Sequence, residues 1–434
     1  DEERHDPYDA TCTEDGYYRN YYTCNRKGCD YSSKSDRYVD NALGHNLKHY
    51  EAKQADCLPG WEEYDKCQRE GCDYTTKVEI PANGKHSYVC DVCTTCQEIN
   101  PVKYTRDGNN IYFGYWPQTC EKDENVIAKL NEMAGKPPLP RDKENPHNWE
   151  SHEGTTYMWQ KIVIYNGTKY LGVQMNDYRA SGVYSLRRRI MDNGYFTGEV
   201  YWFKYEPIKW RILTTSGNSA FIMSDIALDS FSIQPDRKSE NRDGLYASYN
   251  NSTGVPDGTY ANNWEYCFLR QWLNETFYNE VFNNLQKEII KTTRLDNSAR
   301  SCNPDEYPKY YGYAENAGKN KFADQCKDTD DKIFLLSLRD ITTTAYGFNK
   351  DVKAEDPARN LQATDFAKLH GAPMNTNDKK YVTWYTRSPT IGNGNQGYAT
   401  FVLDRHAKGA IDSVDLVPDG GVVPALWINL NYQQ

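Results

Sequence analysis

Ten of the 13 cysteines of this chain lie in its first 120 residues, in a pattern that favours metal binding. They form three groups of three thiols with one further thiol behind them: Cys12, Cys24 and Cys29; Cys57, Cys67 and Cys72; Cys90, Cys93 and Cys96; and Cys120. An odd number of thiols cannot close within one group as disulfides, whereas three thiolates and one further ligand complete a tetrahedral zinc site. The spacing therefore predicts structural zinc.

The histidines allow two registers for these sites. In the trailing register His45 completes the first group, His86 the second and Cys120 the third; in the leading register His5, His45 and His86 complete them in order. We prefer the trailing register because it uses all ten thiols. Disulfides between the groups are the alternative, since only the run CDVCTTC has the close spacing of a strong zinc motif.

The elements that must position these thiols are short repeats. ATCTEDGYYRNYYTCNRKGCDYSSK at 10–34 returns as ADCLPGWEEYDKCQREGCDYTTK at 55–77, and neither has a long apolar run. Units this small need metal or disulfide staples. We predict β-hairpins with cysteines at their corners and tight turns at Gly28 and Gly71. The expected organisation is two Cys-rich repeats at 1–46 and 47–87, a linker with a Cys knuckle at 88–104, and one domain over 105–434.

The longer C-terminal part has the alternation of sheets. We predict a hairpin across Asn166–Gly167, a strand over 111–116 that ends at Pro117, and a half-buried strand over 207–213 that buries Trp210. The other expected elements are helices at 264–290 and 363–370, strands at 332–338, 382–385, 398–403, 411–416 and 424–430, and a long polar loop at 291–330.

Two features of that loop have chemical interpretations. Cys302 and Cys326 flank its second half, and we expect a disulfide between them. Asp328, Asp330 and Asp331 are candidate calcium ligands, although the run lacks the glycine and glutamate of a regular calcium loop, and a solvated acidic turn is the alternative.

The composition argues against nucleic-acid binding and against a membrane span, and it favours export. The chain has 51 basic and 61 acidic residues and a net charge of −10, with one basic cluster at 187–189, so a nucleic-acid partner is not expected. No stretch approaches the about 20 apolar residues of a membrane span. The chain begins at Asp1 with no apolar leader, and with its many cysteines this favours an exported product, extracellular or at the cell surface, whose signal peptide has been removed.

Several stretches carry a resemblance to a known family. They are IYFGYWPQT at 111–119, YWFKYEPIKWRIL at 201–213, NNWEYCFLRQWLNETFYNEVF at 262–282, DKIFLLSLRDI at 331–341, TDFAK at 364–368, WYTRSP at 384–389 and GVVPALWINL at 421–430. They resemble a domain family of unknown function in exported bacterial proteins, especially of clostridia and treponemes. The resemblance implies a C-type-lectin-like α+β fold of antiparallel sheets with few helices, near the formylglycine-generating-enzyme-like branch.

The N-terminal part, with ALGH at 42–45, is similar to the Cys/Gly-His repeats of clostridial surface proteins. In the lectin-like fold, the segment 386–420 is implied to form an exposed ligand-binding face. The residues expected to bind there are Tyr398, Asp404, Arg405 and His406, with Tyr385 and Arg387 in the preceding strand. For Arg387 a buried ion pair is the alternative.

We expect a non-catalytic protein, because the histidines beyond residue 100 stand singly and no serine-nucleophile motif occurs. The expected function is adhesion, through binding of a protein or glycan ligand by a lectin-like domain. One alternative is a subunit of an extracellular filament or surface layer that binds copies of itself. The other is an enzyme of formylglycine-generating type, for which Cys302 and Cys326 would be the only candidate reactive pair.

Overall fold

The computed structural model describes residues 3–135, 157–175, 189–196, 198–242, 245–302, 304, 326–352, 354–375, 379–391, 397–402 and 420–431. The chain divides into two compact units. The first comprises residues 1–88 and 92–98, and the second comprises residues 89–91 and 99–434. Residues 403–419, and with them the strand predicted at 411–416, lie outside the described part.

The first unit consists of short antiparallel strands. They are β1 (Glu3–Tyr8), β2 (Gly16–Thr23), β3 (Ser32–Lys34), β4 (Tyr38–Asp40), β5 (Leu47–Tyr50), β6 (Gly60–Trp61), β7 (Tyr64–Cys67) and β8 (Glu79–Ile80). Strands β1, β3 and β4 pair with β2, β5 pairs with β7, and β6 pairs with β8. A two-residue turn then joins β9 (Tyr88–Val89) to β10 (Val92–Cys93).

Tyrosine pairs across the strands take the place of an aliphatic core in this unit. Tyr50 lies opposite Tyr64 with the ring centroids 4.9 Å apart, and Tyr8 lies opposite Tyr17 at 5.5 Å. Such cross-strand aromatic pairs contribute only about 0.2–1 kcal/mol each. Among the described side chains of the first unit, the buried apolar ones are Cys67 and Cys93. The unit therefore depends on its cysteines for internal packing.

Each repeat also uses a glycine where two backbone segments meet. A Cβ atom on Gly16 would lie 2.4 Å from the Ala10 nitrogen, and one on Gly60 would lie 2.3 Å from the Lys53 carbonyl oxygen. Any side chain at either position would push the two segments apart. The repeats thus share a backbone crossing as well as their cysteines.

The second unit is mostly sheet, with few helices, and is α+β. Its strands are β11 (Thr105–Asp107), β12 (Asn110–Cys120), β13 (Tyr157–Tyr165), β14 (Thr168–Met175), β15 (Val200–Ser216), β16 (Ser219–Ser224), β17 (Asp229–Phe231), β18 (Arg237–Arg242), β19 (Leu245–Asn250), β20 (Ile290–Lys291), β21 (Thr293–Leu295), β22 (Thr329–Asp331), β23 (Phe334–Leu335), β24 (Trp384–Ile391), β25 (Gly397–Val402), β26 (Gly420–Val422) and β27 (Pro424–Asn429). The main sheet has the order β11-β12-β15-β16-β27-β20, with β14 and then β13 attached through β15 and β23 attached to β27.

A second sheet has the order β17-β26-β24-β25. The α-helices are α1 (Glu124–Ala134), α2 (Phe268–Trp272), α3 (Tyr278–Val281), α4 (Asn284–Lys287), α5 (Ala299–Cys302) and α6 (Asp365–Leu369). Single 3-10 turns lie at Trp264–Tyr266, Asp340–Thr342, Thr344–Tyr346 and Pro357–Arg359, and a π turn lies at Leu273–Phe277. No helix in the described ranges has the length and apolar character needed to cross a bilayer.

Several local predictions are confirmed. The β13–β14 hairpin turns at Asn166 and Gly167, both with positive φ. Trp210 is fully buried in β15, and its indole N–H donates to the Phe113 carbonyl at 3.0 Å. The helix predicted at 363–370 is α6, which Thr364 caps by accepting from the Ala367 N–H at 2.9 Å.

Other local predictions were wrong in part. Strand β12 continues through Pro117, which lies opposite Tyr205 immediately before one of the two register shifts of this strand. The helical region at 264–290, expected to be broken in its second part, is a series of short turns along its whole length. The run 332–338 supplies only a two-residue strand before the chain turns, and the predicted loop at 291–330 contains strands at both ends.

Candidate metal centres

The first cluster comprises Cys12, His45, Cys67 and Cys72, whose ligand atoms all lie within 4.8 Å of one another. Strands β5 and β7 assemble it, because their ladder places Leu47 opposite Cys67. His45 lies two residues before Leu47 and so reaches the thiol pair of the following repeat. Positive φ at Gly71 turns the chain so that Cys72 joins the same cluster.

The contacts inside the first cluster resemble the edges of a metal polyhedron. The Cys12 and Cys67 sulfurs are 3.7 Å apart, and the Cys72 sulfur lies 3.4 Å from Nδ1 of His45. Tyr74 stacks on the His45 ring with centroids 4.1 Å apart and fixes the plane of the imidazole. Three sulfurs and one nitrogen therefore already converge on a common point.

The second cluster comprises Cys57, His86, Cys93 and Cys96 and repeats this geometry. The Cys57 and Cys93 sulfurs are 3.6 Å apart, and the Cys96 sulfur lies 3.4 Å from Nδ1 of His86. His86 stands two residues before β9, as His45 stands two residues before β5. Its Nε2 lies 3.5 Å from a Glu98 carboxylate oxygen, a partner that favours Nδ1 as the metal-binding nitrogen.

These distances fit zinc and not disulfides. With Zn–S bonds of about 2.3 Å, the edge of a tetrahedron is about 3.8 Å long, close to the observed sulfur separations. A disulfide needs sulfurs about 2.05 Å apart, and all the cysteines of both clusters are free thiols. Three thiolates and an imidazole are a common donor set for structural zinc. Both clusters can thus hold a metal ion such as zinc.

Each cluster contains one thiol with a lowered pKa and one thiol with a raised pKa. Burial opposes ionisation of Cys67, but hydrogen bonds from backbone N–H groups and the histidine lower its pKa to about 6. Hydrogen bonds led by the Cys96 backbone lower the pKa of Cys93 to about 5. Burial and the neighbouring thiols raise the pKa of Cys12 to about 11 and of Cys57 to about 12. A divalent cation would replace the remaining protons, because it neutralises the thiolates together.

The predicted ligand sets were wrong, although both histidines of the trailing register are cluster members. Each cluster takes its first cysteine and its histidine from one repeat and its cysteine pair from the next element, because the hairpin ladders bring those segments together. Cys24 and Cys29 belong to neither cluster.

Cys90 and Cys120, the other predicted ligands, are single thiols of the second unit. Both lie outside the clusters, and burial raises the pKa of each to about 11. The leading register was right in part, because it joined His45 to Cys67 and Cys72 and His86 to Cys93 and Cys96. It was wrong in the first cysteine of each set, where Cys12 and Cys57 take the places it gave to Cys57 and Cys90.

A third group, His49, Glu51 and Glu63, is fully on the surface. His49 lies 3.0 Å from an Asp65 carboxylate oxygen, which already engages it. Exposed acidic groups of this kind are common without any ion. We assign no site to this group.

The expected ligand face is only partly described. Tyr385 is buried, with its ring against Gly420, and Arg387 is buried and donates to Asp340 at 3.0 Å and to the Leu335 carbonyl at 2.8 Å. The prediction that Tyr385 binds ligand is corrected, because β24 runs through the interior. For Arg387 the alternative, a buried ion pair, is confirmed. Tyr398 lies in β25 with its backbone opposite Thr390.

The remaining predicted ligand residues, Asp404, Arg405 and His406, lie outside the described residues. For Tyr398 the structure describes the backbone and not the side chain. The assignment of these four residues to a binding face stays a prediction.

The loop chemistry is also revised. Cys302 and Cys326 are buried free thiols with no bond between them, and the Cys302 sulfur faces the Asp296 carbonyl at 3.6 Å. Asp328 and Asp330 pair with Arg294, at 3.4 and 3.0 Å.

Asp331 points the other way. Alternation along β22 buries it, where it accepts from Trp264 at 2.9 Å and pairs with Arg270 at 2.7 Å. The three carboxylates therefore do not converge on one calcium site.

Sequence reasoning missed one buried pair. His370, which stands alone in the sequence, is hydrogen bonded through Nδ1 to Asp229, and both side chains are almost fully buried. The partners are 141 residues apart, and no spacing rule joins such residues. A buried pair of this kind can be recognised only once the fold is known.

One family model matches the chain. It is described as "Domain of unknown function (DUF6273)" and covers residues 217–430, so the C-terminal part contains a domain of unknown function. No curated protein and no solved structure gives a match.

Proposed function

We propose that this chain is an exported, non-catalytic binding protein, with an N-terminal region stabilised by two structural zinc ions and a C-terminal lectin-like domain that binds a protein or glycan. The observation that carries the proposal is the pair of Cys3His clusters. Each supplies four protein ligands, and structural zinc sites are closed in this way, whereas catalytic sites keep a position open for water or substrate.

A non-catalytic role is also supported by the thiols of the C-terminal domain. Cys302 and Cys326 are buried, and burial raises their pKa values to about 11 and 12. The thiolate is the reactive form of cysteine. Thiols that hold their protons at neutral pH, away from solvent, are poor nucleophiles, which argues against a formylglycine-generating type of chemistry.

The expected ligand surface lies in the segment 386–420, with Tyr398, Asp404, Arg405 and His406. The resemblance to exported clostridial and treponemal domains supports this placement, as does the rigid inner part of β24, where Tyr385 and Arg387 are fixed by packing. Loops on such scaffolds commonly carry binding residues.

A binding experiment tests this function. Glycan and protein arrays probed with the full chain are expected to give a defined ligand class, and Tyr398→Ala together with Arg405→Ala is expected to weaken that signal without lowering the melting temperature. Arg387→Ala is the matched control, because it removes a buried pair and should lower the melting temperature. If the double substitution left array binding intact, the binding site would have to lie at other residues.

A second candidate, a subunit of an extracellular filament or surface layer, is favoured by exposed aromatic rings. Five tyrosines of the first unit are more than a third exposed: Tyr8, Tyr22, Tyr31, Tyr38 and Tyr74. Tyrosine is enriched at protein interfaces. Negative-stain electron microscopy and light scattering of native material would distinguish the candidates, since fibres or regular sheets support assembly and a monomer supports ligand binding.

A further inference from the structure

Four asparagines of the chain are followed directly by glycine: Asn83, Asn166, Asn193 and Asn393. An Asn-Gly pair is the dipeptide most prone to spontaneous loss of the side-chain amide, because glycine has no Cβ atom to keep its backbone nitrogen away from the asparagine side chain. Asn393 lies outside the described residues. The surroundings of the other three decide which of them can react in the folded protein.

Asn166 is the exposed member of the three whose side chain is not held in place. With Gly167 it forms the tip of the β13–β14 hairpin, where the two residues have φ of +49° and +74°. The strand ladder ends at the pair Tyr165 and Thr168, so both tip residues lie outside it. Among the described residues, none forms a hydrogen bond with the Asn166 side chain. Rotation of this amide towards the Gly167 nitrogen therefore breaks no hydrogen bond of the described structure.

The other two asparagines are tied down by hydrogen bonds. The Asn83 side-chain N–H donates to the Ala55 carbonyl at 2.6 Å, and its Oδ1 accepts from the backbone N–H two residues further on at 2.9 Å. The Asn193 side chain donates to the carbonyls of Lys368 and Ala372, at 3.0 Å each. Each of these side chains must give up two hydrogen bonds before it can turn towards the nitrogen of the following glycine.

We propose that Asn166 is a site of spontaneous deamidation in the folded protein. The Gly167 backbone nitrogen attacks Cγ of Asn166, and its proton leaves with the side-chain nitrogen as ammonia, which closes a cyclic succinimide. One water molecule then opens the ring at either carbonyl. The products are aspartate, in which the original backbone is restored, and isoaspartate, in which the main chain runs through the former side chain. Each product carries one new negative charge, and water is the only co-reactant.

The two products affect the hairpin differently. Aspartate can occupy the same turn, because Asp-Gly suits a two-residue hairpin as Asn-Gly does. Isoaspartate adds one methylene group to the main chain between Tyr165 and Thr168, so the turn no longer matches the register of the ladder. Strand β13 lies at the edge of the main sheet and pairs with β14. We therefore expect isoaspartate to weaken this hairpin and to leave the inner strands of the sheet paired.

Peptide mapping of the aged protein tests the inference. The full chain is kept folded in mildly alkaline buffer at physiological temperature, and mass spectrometry after digestion quantifies the amide and acid forms of each Asn-Gly peptide. We expect Asn166 to lose its amide about tenfold or more faster than Asn83 and Asn193, because each of those side chains must first give up two hydrogen bonds. The denatured chain is the reference, since the fold then restrains none of the three pairs.

Asn166→Gln is the matched variant. Its longer side chain closes the corresponding larger ring far more slowly, so the acidic species that isoelectric focusing resolves in the aged protein should be greatly reduced. Isoaspartate at position 166 supports the ring mechanism. The inference is overturned if folded Asn166 reacts no faster than Asn83 and Asn193, if aspartate is the only product, or if the acidic species persist in the variant. None of these outcomes depends on the zinc clusters or on the proposed ligand.

Discussion

Replacing His45 by alanine tests how the clusters are grouped. In the structure this imidazole completes a set with Cys12, Cys67 and Cys72, so its loss leaves three thiols and one open position. Loss of a partner outside the metal's own ligands already weakens binding by about 10–100-fold. Loss of a direct ligand should exceed that range, which corresponds to more than about 2.8 kcal/mol for the first site.

The assay is alkylation of each cysteine in the zinc-loaded variant. Cys12, Cys67 and Cys72 should become reactive, while the thiols of the second cluster stay protected, because the two clusters share no ligand. His49→Ala is the matched control. This substitution removes an exposed imidazole of the same unit, one that pairs with Asp65, and it should leave the alkylation of every cysteine unchanged.

One result would refute this grouping. If His45→Ala exposed Cys24 and Cys29 and left Cys67 and Cys72 protected, zinc would be held within a single repeat. The hairpin ladder between β5 and β7 would then be in the wrong register, and the assignment of the second cluster would fall with it.

Three further predictions concern the second unit. Trp210→Ala should reduce the free energy of unfolding by about 3–5 kcal/mol, measured by chemical denaturation, because the ring is fully buried. Arg359→Ala should cost about 3–5 kcal/mol in the same assay, since the buried guanidinium lies 3.3 Å from Asp356 and its loss leaves that carboxylate uncompensated; a change below 1 kcal/mol, a size typical of exposed pairs, would contradict its burial. Burial alone would raise the pKa of Glu121, but backbone N–H groups and Lys204 lower it from 4.5 to about 2. The ionised form therefore contributes about 3 kcal/mol to the free energy of unfolding above pH 4.5, and this contribution disappears as the pH falls towards 2. Glu121→Gln should accordingly lower the free energy of unfolding at pH 7 and leave it unchanged in acid.

Local features of this protein could be predicted from the sequence because they depend on neighbours in the chain. The Asn166–Gly167 turn, the alternation around Trp210 and the Thr364 cap are each set within a few residues. The two histidines of the clusters were found for a similar reason, since one histidine follows the three cysteines of each repeat. The α+β class was implied by the family resemblance, and the scarcity of helical spacing in the sequence agrees with it.

The grouping of the cysteines was not available from spacing alone. It depends on which strands pair, and the ladder that puts Leu47 opposite Cys67 joins segments 20 residues apart. Arg387 was ambiguous for a related reason, because the same alternation fits an exposed or a buried strand until its neighbours are known.

The central claim is that zinc, held between repeats by three thiols and one imidazole, shapes the N-terminal region. Native mass spectrometry combined with zinc K-edge absorption on Cys24→Ser/Cys29→Ser protein tests it most directly, because that variant contains only the two complete clusters. We predict two zinc ions per chain, each with about three sulfurs near 2.3 Å and one nitrogen near 2.0 Å. A metal-free protein whose mass shows the loss of two hydrogens per cysteine pair would contradict the claim and establish disulfides instead.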